Sequence, residues 1–357
     1  MQNRKLVAVS LGLLLGLAAF TVRPAQVSAA QSGVCVNKAV STLGGTWEKR
    51  AHSTLFRSET SSAVLDNRIY IAGGLAGVSN FYTEITRSFA VYDTSTDSWK
   101  DLAPLPEALH HIALASAHGA VYMTGGYSAL DFIANRKTAW RYDPATDKWS
   151  AVADMPGPRA AHSMTAINDT LYLVGGVTAA STQLWTYDPV ADKWDTHHAP
   201  MPTAREHAAS ANVDGKLYIM AGETPNSDGT GNETYAKLAI VESYNPATDK
   251  WSKAADMPTA RSSVTAAVID GKIHVVSGEN VADNCVFPQH EVYDPKTDQW
   301  STMIDLATPR HGAVSEVING RWYVIDGALK PGFLTIAALS NTVEVFIPAN
   351  ANSTATS

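Results

Sequence analysis

Short apolar runs alternate with polar turns along almost the whole chain. One copy reads Ser163–Ile167, then Asn168-Asp169, then Leu171–Val174. Runs of this length joined by Asn-Asp, Asp-Gly or Asn-Gly are typical of β-hairpins. The pattern therefore predicts an all-β protein made of short antiparallel strands.

A second pattern is a repeated segment, Tyr142-Asp143-Pro144-Ala145-Thr146-Asp147-Lys148-Trp149. It recurs with the same seven-residue step from Tyr to Trp at Tyr92–Trp99, Tyr187–Trp194, Tyr244–Trp251 and Tyr293–Trp300. Pro and Asp in its centre favour a tight turn between two further strands. Each unit is thus predicted to be a four-stranded antiparallel sheet of ~50 residues, which must stack on its neighbours to bury its faces.

Each repeat Trp, counted from Trp47, is followed 26 or 27 residues later by a Gly pair or a variant of it. The positions are Gly73-Gly74, Gly125-Gly126, Gly175-Gly176, Ala221-Gly222, Ser277-Gly278 and Asp326-Gly327. This arrangement resembles the kelch repeat, whose Gly-Gly, Tyr and Trp stand at these positions. The resemblance covers about residues 42–348 and implies a β-propeller, with sheets placed radially around a channel.

The two ends of the repeat region complement each other. The last unit ends near Phe346 with no Trp after it, whereas Trp47 has no Gly pair before it. We expect Gly45–Glu48 to provide the missing outer strand, which would leave no exposed sheet edge. The expected fold is therefore a six-bladed kelch β-propeller over residues 42–348, closed by an N-terminal outer strand.

The N-terminus has the features of a secretory signal peptide. Arg4 and Lys5 precede an apolar run at residues 7–20, and Ser28-Ala29-Ala30 is a small-residue cleavage site. The run is too short to favour a membrane span. We predict a signal peptide at residues 1–30, an N-terminal arm at 31–41, a disordered tail at 349–357, and a secreted or periplasmic monomer.

Charge and cysteine content narrow the possible partners. Removal of residues 1–30 leaves 24 Lys and Arg against 34 Asp and Glu, a formal net charge of −10. This charge, with no basic run, argues against nucleic acid and anionic membranes. Export would allow Cys35 and Cys285 to form a disulfide, two free thiols being the alternative. No second Cys or His stands at ligand spacing from either, so we expect no metal and no cofactor.

The candidate site lies where the innermost strands begin, because the loops on that face vary most in length. Ten residues after each Trp, or eleven in one case, Arg stands at the mouth of the innermost strand in five of the six units, and Leu109 stands there in the remaining one: Arg57, Arg159, Arg205, Arg261 and Arg310. Guanidinium groups suit carboxylates and phosphates, so this set predicts a cationic collar that binds a ligand. The structural alternative is that each Arg pairs with loop carbonyls or a neighbouring acid.

Acids, histidines and aromatic residues complete the candidate set. Glu223 and Glu279 follow the Gly pair in neighbouring units and are the predicted catalytic groups, whereas His111 and His207 are predicted ligand-binding residues. The repeat Tyr and Trp residues are interpreted as packing residues. Aromatic residues outside the repeat are candidates for ligand contact: Phe81, Tyr82, Tyr127, Phe132, Phe287 and Phe333.

Two functions compete. The chain resembles the sialic acid mutarotases among exported kelch propellers, which implies that Glu223 relays a proton while Arg holds an acid group. The expected function is binding of an anionic or carbohydrate-type small molecule at the channel mouth, with sugar isomerisation or mutarotation as its catalytic form. The alternative is a non-catalytic protein–protein interaction module on the variable-loop face. A copper-radical oxidase is disfavoured, since only Cys285 is available within the propeller for a Cys–Tyr cross-link.

Overall fold

A computed structural model describes residues 33–35, 44–78, 81–178, 181–227, 233–332 and 338–349. The predicted signal peptide at 1–30, most of the predicted arm at 31–41 and residues 350–357 of the predicted tail lie outside these ranges. Within them the regular elements are β-strands, and no helix has the length and apolar character needed to cross a membrane.

The strands are short, as the alternating pattern predicts. In chain order they are β1 (Gly45–Lys49), β2 (Phe56–Ser58), β3 (Ser61–Leu65), β4 (Arg68–Ala72), β5 (Leu75–Val78), β6 (Phe81–Ile85), β7 (Phe89–Asp93), β8 (Ser98–Asp101), β9 (Ala113–Ala117), β10 (Ala120–Thr124), β11 (Ala139–Asp143), β12 (Lys148–Val152), β13 (Ser163–Ile167), β14 (Thr170–Val174), β15 (Trp185–Asp188), β16 (Lys193–Asp195), β17 (Ala209–Val213), β18 (Lys216–Met220), β19 (Glu223–Ser227), β20 (Glu233–Lys237), β21 (Val241–Asn245), β22 (Lys250–Ala254), β23 (Ser262–Ile269), β24 (Lys272–Asn280), β25 (Cys285–Val286), β26 (His290–Asp294), β27 (Gln299–Met303), β28 (Val314–Ile318), β29 (Arg321–Ile325) and β30 (Val343–Pro348).

Six repeated antiparallel sheets are found among the described residues. Their strand orders are β3-β4-β7-β8 (sheet 1), β9-β10-β11-β12 (sheet 2), β13-β14-β15-β16 (sheet 3), β17-β18-β21-β22 (sheet 4), β23-β24-β26-β27 with β25 beside β24 (sheet 5), and β28-β29-β30-β1 (sheet 6). Two smaller sheets, β2-β5-β6 and β19-β20, extend the loops of sheets 1 and 4. Each inner strand lies against the next one along the chain, and β28 lies against β3.

The predicted hairpin in sheet 3 is confirmed. Strands β13 and β14 pair antiparallel, with Ser163 opposite Val174 at one end and Ile167 opposite Thr170 at the other. The two residues between them, Asn168 and Asp169, have φ of 49° and 60°. Both central residues of the turn therefore have positive φ, as the favoured two-residue hairpin turns require. At the other end of the chain β1 pairs antiparallel with β30, with Trp47 opposite Phe346.

The repeat Tyr and Trp residues join neighbouring sheets at the outer edge. In sheet 2 the Tyr142 hydroxyl donates to Asp147, which also accepts the Ala103 N–H, and Trp149 donates its indole N–H to the Ala103 carbonyl. Equivalent Trp bonds occur at Trp47, Trp99, Trp194, Trp251 and Trp300. The packing interpretation of these aromatic residues is confirmed.

The Gly pair joins neighbouring sheets at the inner end. Each second Gly donates its N–H at 2.8–3.0 Å to the carbonyl of a residue one to four positions before the next inner strand, and Gly327 of sheet 6 donates to the Arg57 carbonyl, which precedes β3 of sheet 1. A Cβ atom on Gly125 would lie 2.1 Å from the Arg159 carbonyl oxygen, so this approach requires glycine. The same bond recurs from sheet to sheet and sets their spacing around the inner strands.

Candidate functional site

The inner strands line a central cavity of about 420 Å³. Where these strands begin, each sheet contributes one residue to a set that we call the mouth ring: Glu59, His111, Ala161, His207, Ser263 and Gly312. All six have φ between 51° and 58°. Each N–H donates to the carbonyl of the member before it, Glu59 to Gly312, over 2.9–3.3 Å. The cycle holds the backbone beneath the side chains in one geometry.

Glu59 is the central side chain of this region. Its carboxylate lies 3.2 Å from His111 Nε2, 3.5 Å from His311 Nδ1 and 3.9 Å from His207 Nε2. Gly312 provides the space, because a Cβ atom there would lie 2.4 Å from Glu59 Oε1. The Glu59 side chain is largely buried, with 11% of its surface exposed.

Glu223 and Glu279, the predicted catalytic acids, join the same network. Glu223 Oε1 lies 3.5 Å from His207 Nδ1, and its other oxygen pairs with Lys237. Glu279 Oε2 lies 3.5 Å from His311 Nδ1 and accepts the Gly332 N–H at 2.6 Å. Each acid therefore faces a histidine that also faces Glu59, which links sheets 1, 4, 5 and 6.

Burial and neighbouring charge set the protonation of this network. Burial raises the pKa of Glu59, with His207 and His311 opposing, and burial also raises the pKa of Glu206. Burial would lower the pKa of His207, but the charges of Glu206, Glu59, Glu223 and Glu279 outweigh it and raise that pKa. Glu59 and Glu206 therefore hold a proton more readily than free carboxyl groups do, and His207 holds one more readily than a free imidazole.

The pKa values of His111 and Glu279 are lowered, in contrast to the raised pKa values of Glu59, Glu206 and His207. Burial, helped by the neighbouring histidines, holds the pKa of His111 well below 6.5. Burial opposes ionisation of Glu279, but His311 and the Gly332 N–H overcome it and lower the Glu279 pKa. His111 is thus a neutral imidazole and Glu279 an ionised carboxylate at neutral pH.

Two groups of residues in the described part of the chain present converging metal-ligand atoms. Glu59, His111 and His207 form one, and Glu206, His207 and Glu223 form the other, with ligand atoms in each group within 4.8 Å of one another. The two groups share His207.

Comparison with known proteins identifies the repeat. A family model described as the KLHDC2/KLHL20/DRC7 Kelch-repeats domain matches residues 42–176 and 154–327. The chain belongs to the kelch-repeat family. Kelch-like protein terF of Aspergillus terreus is 30% identical over 69% of this chain and 55% of its own length. Kelch repeat and BTB domain-containing protein 12 of Homo sapiens is 27% identical over 69% of this chain and 33% of its own length.

The kelch fold also has a neighbour among solved structures. The structure of YjhT matches with a TM-score of 0.65 and 17% identity, over 83% of this chain and 96% of that one. At this identity the likeness concerns the fold alone. The kelch resemblance and an all-β propeller fold are confirmed, although the chain spans only about half of terF and a third of the human protein.

The cationic collar is corrected by the structure. The five arginines at the start of the kelch inner strands are at most 1% exposed. Arg57 pairs with Asp326, Arg205 with Glu242, Arg261 with Glu291 and Arg310 with Glu344, whereas Arg159 donates to the Gly175 and Gln183 carbonyls and stacks on Trp185. These contacts match the structural alternative, because a buried guanidinium needs hydrogen-bond acceptors and a counter-charge. The mouth is lined by acids and histidines instead.

The predicted histidines His111 and His207 lie close together, and the predicted aromatic residues Tyr127 and Phe132 contact each other and His111. The rings of His111 and His207 lie 5.0 Å apart, and Phe132 packs against His110, His111 and Tyr127. Phe287 is buried and lies 5.7 Å from Arg261, away from this cluster of contacts. The side chains of Phe81 and Tyr82, and all of Phe333, lie outside the described residues.

Glu59, Glu206 and Lys237 were not among the predicted site residues. For Glu59 a signal existed, since it stands two residues after Arg57, as His111 and His207 stand two after Leu109 and Arg205. Comparison of that single repeat position shows Glu, His, Ala, His, Ser and Gly. A position that varies in chemistry within a regular repeat marks the site better than the recurring Arg.

Proposed function

We propose that this protein is an exported six-bladed kelch propeller that binds a small carbohydrate-type molecule at its channel mouth. The six blades would be closed by the N-terminal strand, which the β1–β30 pairing and the cyclic bonds of the mouth ring support. Export is supported by the disulfide between Cys35 and Cys285, a bond that persists in oxidising compartments. The predicted boundaries, with the propeller at residues 42–348, stand as part of this proposal.

The Glu–His network at the mouth carries the proposal. Glu59, Glu223 and Glu279 each lie within 3.5 Å of an imidazole nitrogen, so the site offers paired donors and acceptors. Sugar hydroxyl groups donate and accept in the same way, and the Phe132 ring lies beside His111 at the edge of the site. Few precisely placed polar groups in a concave site are typical of small-molecule recognition.

The charge of the site favours a neutral ligand. Glu59, Glu206, Glu223 and Glu279 surround His207 and His311, whereas Lys237 pairs with Glu223 and the five collar arginines are buried elsewhere. An anionic ligand would meet like charges at short range, which costs binding free energy. We therefore narrow the anionic or carbohydrate-type expectation to neutral, polyhydroxylated molecules.

Mutarotation is the catalytic form of this proposal. A cyclic hemiacetal opens when its anomeric hydroxyl loses a proton and its ring oxygen gains one, and it closes by the reverse transfer. Glu223 with His207 and Glu279 with His311 form two such carboxylate–imidazole pairs. General acid and base groups need this arrangement within hydrogen-bond reach of the substrate.

The test is ligand-observed NMR on the purified protein with neutral aldohexoses and with the matching uronic acids. We expect saturation transfer to a neutral sugar, and a loss of affinity of about 10-fold or more in Glu59→Gln, because charge-assisted hydrogen bonds are lost. Glu316→Gln, which changes a channel-wall residue bonded to Ser62, is the matched control. Polarimetry of the same samples measures mutarotation. Binding of uronic acids in preference to neutral sugars, or equal binding by both variants, would contradict the proposal.

A specific feature also favours protein binding as a second candidate. Large apolar side chains with exposures of 39–81% stand on the loops that follow the second strands of sheets 2, 4, 5 and 6: Leu130, Ile133, Tyr235, Val281 and Leu329. Exposed aromatic and aliphatic side chains on one loop face are typical of contact surfaces. Cross-linking in host extracts, with Ile133→Asp as the variant and Val190→Asp as an exposed control on the outer edge, would distinguish this function.

A further inference from the structure

The row of contacts beside Glu59 needs one more proton, or a cation, than two neutral imidazoles supply. Three contacts run in a line: the Ala129 carbonyl to His110 Nε2 at 3.0 Å, His110 Nδ1 to His111 Nδ1 at 2.5 Å, and His111 Nε2 to Glu59 Oε2 at 3.2 Å. Both ends of the line are acceptors. Two neutral imidazoles supply two N–H groups, so one of the three contacts requires an additional proton or a metal ion.

The position of His207 indicates where a cation would lie. Its Nε2 lies 3.9 Å from Glu59 Oε2, too far for a hydrogen bond, and its ring stands nearly perpendicular to that of His111. Glu59 and His207 occupy opposite positions of the six-membered mouth ring, with His111 next to Glu59. A cation between these three ligand atoms would therefore lie close to the axis of the ring.

We propose that Glu59, His111 and His207 bind a divalent first-row transition-metal ion of the Zn²⁺ class. Two ligands held about 2.0–2.2 Å from Zn²⁺ in tetrahedral geometry are separated by roughly 3.4 Å. The observed 3.2 and 3.9 Å separations bracket that value, and all three ligand atoms lie within 4.8 Å of one another. Three protein ligands leave a coordination position free towards the mouth.

The surroundings of the ligands have the form of a metal site. His207 turns its Nδ1 towards Glu223 Oε1 at 3.5 Å, and His111 bonds through Nδ1 to His110. Metal-binding histidines usually anchor the second ring nitrogen by a hydrogen bond, as His111 does, and this orients the first. Gly312, the Glu59 neighbour in the ring, leaves the space that the carboxylate occupies, so the ligand position depends on backbone geometry.

The proposal shares its residues with the carbohydrate site and rests on that site being a functional one, but it is tested without sugar. The purified protein is treated with a chelator, exchanged into chelator-free buffer and titrated with Zn²⁺ by calorimetry. A parallel titration with Co²⁺ is followed by its visible absorption. We expect one strong site per chain and a Co²⁺ spectrum typical of four or five ligands.

Variants distinguish this site from other arrangements. Glu59→Gln and His207→Asn should each weaken Zn²⁺ binding by more than about 10-fold, and Glu223→Gln by about 10-fold through the orientation of His207. His197→Asn, an exposed histidine paired with Asp195, controls for surface binding, and Glu316→Gln controls for loss of a channel carboxylate. Melting curves of the metal-free variants show whether each is folded.

Two results would overturn the metal site. One is the absence of a stoichiometric site in the wild-type protein. The other is binding that survives Glu59→Gln in a folded protein but is lost in Glu206→Gln, which would move the ion to the Glu206–His207–Glu223 group. Neither outcome bears on sugar binding, which is measured by NMR in a chelator-treated sample.

Discussion

The collar position and the mouth-ring position stand two residues apart in each of the six repeats, and the residues at the two positions behave in opposite ways. The collar arginines recur in five of six repeats, are buried, and pair with carbonyls and acids. The mouth-ring residues two positions later differ from repeat to repeat and face one another across the opening. In this kelch repeat the recurring Arg stabilises contacts between neighbouring sheets, whereas the residues that depart from the repeat form the candidate site.

The largest expected effect is a loss of stability when a collar arginine is replaced. Arg205 is 1% exposed, donates to the Ala221 and Ile240 carbonyls, and pairs with Glu242 at 2.5 Å. Arg205→Ala leaves Glu242 buried without its partner, so we expect the free energy of unfolding to fall by about 3–5 kcal/mol. Urea unfolding measures this loss.

The matched control is Arg136→Ala, since the Arg136 side chain is 42% exposed and pairs with Glu107. An exposed pair contributes about 0–1 kcal/mol, so this variant should unfold close to the wild-type midpoint. If Arg205→Ala kept its stability and instead lost ligand binding, the collar would be functional after all.

The next effect concerns a carboxylate inside the channel. Glu316 is half-buried in the wall, where separation from bulk water raises its pKa to about 7 and the Ser62 hydroxyl only partly opposes this. Between pH 4.5 and 7 the folded state therefore binds a proton that the unfolded chain has released. The free energy of unfolding should fall as pH rises through that window.

Glu316→Gln removes this pH dependence. We expect equal stability of variant and wild type at pH 4, and a gain of about 1–3 kcal/mol in the variant at pH 8, from urea unfolding at both values. A difference that is the same at both pH values would show that the effect is one of packing rather than ionisation.

The smallest expected effect is a change in stability when Glu206, a carboxylate at the mouth, is replaced. Glu206 is 7% exposed, and its Oε2 has no hydrogen-bond partner among the described residues. Since burial of this carboxylate is unfavourable, Glu206→Gln should raise the free energy of unfolding at pH 8 by up to about 1 kcal/mol. Thermal unfolding checks the sign. A clear loss of stability would show that Glu206 stabilises the fold, as the acids paired with the collar arginines do. The mouth and the collar would then not differ in the way described above.

Much of the architecture could be predicted from residue spacing. The hairpin at Ser163–Val174, the packing roles of Tyr142 and Trp149, and the kelch family all follow from local turn chemistry and a repeated period. These features depend on short-range contacts and on each unit pairing with the next. Because the unit is repeated, the residues that make both kinds of contact occur several times in the sequence.

Residue spacing alone predicted a repeated all-β protein, with Glu223, Glu279, His111 and His207 near the ends of the inner strands and Arg beside them. The burial of the arginines and the contacts of Glu59 with histidines of sheets 2, 4 and 6 became visible once the sheets were packed together. The physical reason is that a propeller brings together residues separated by some 50 to 250 positions, at distances set by inter-sheet hydrogen bonds. At the mouth ring, the direction of each side chain depends on the backbone φ and on contacts with the neighbouring sheet. The sequence of one repeat predicts neither.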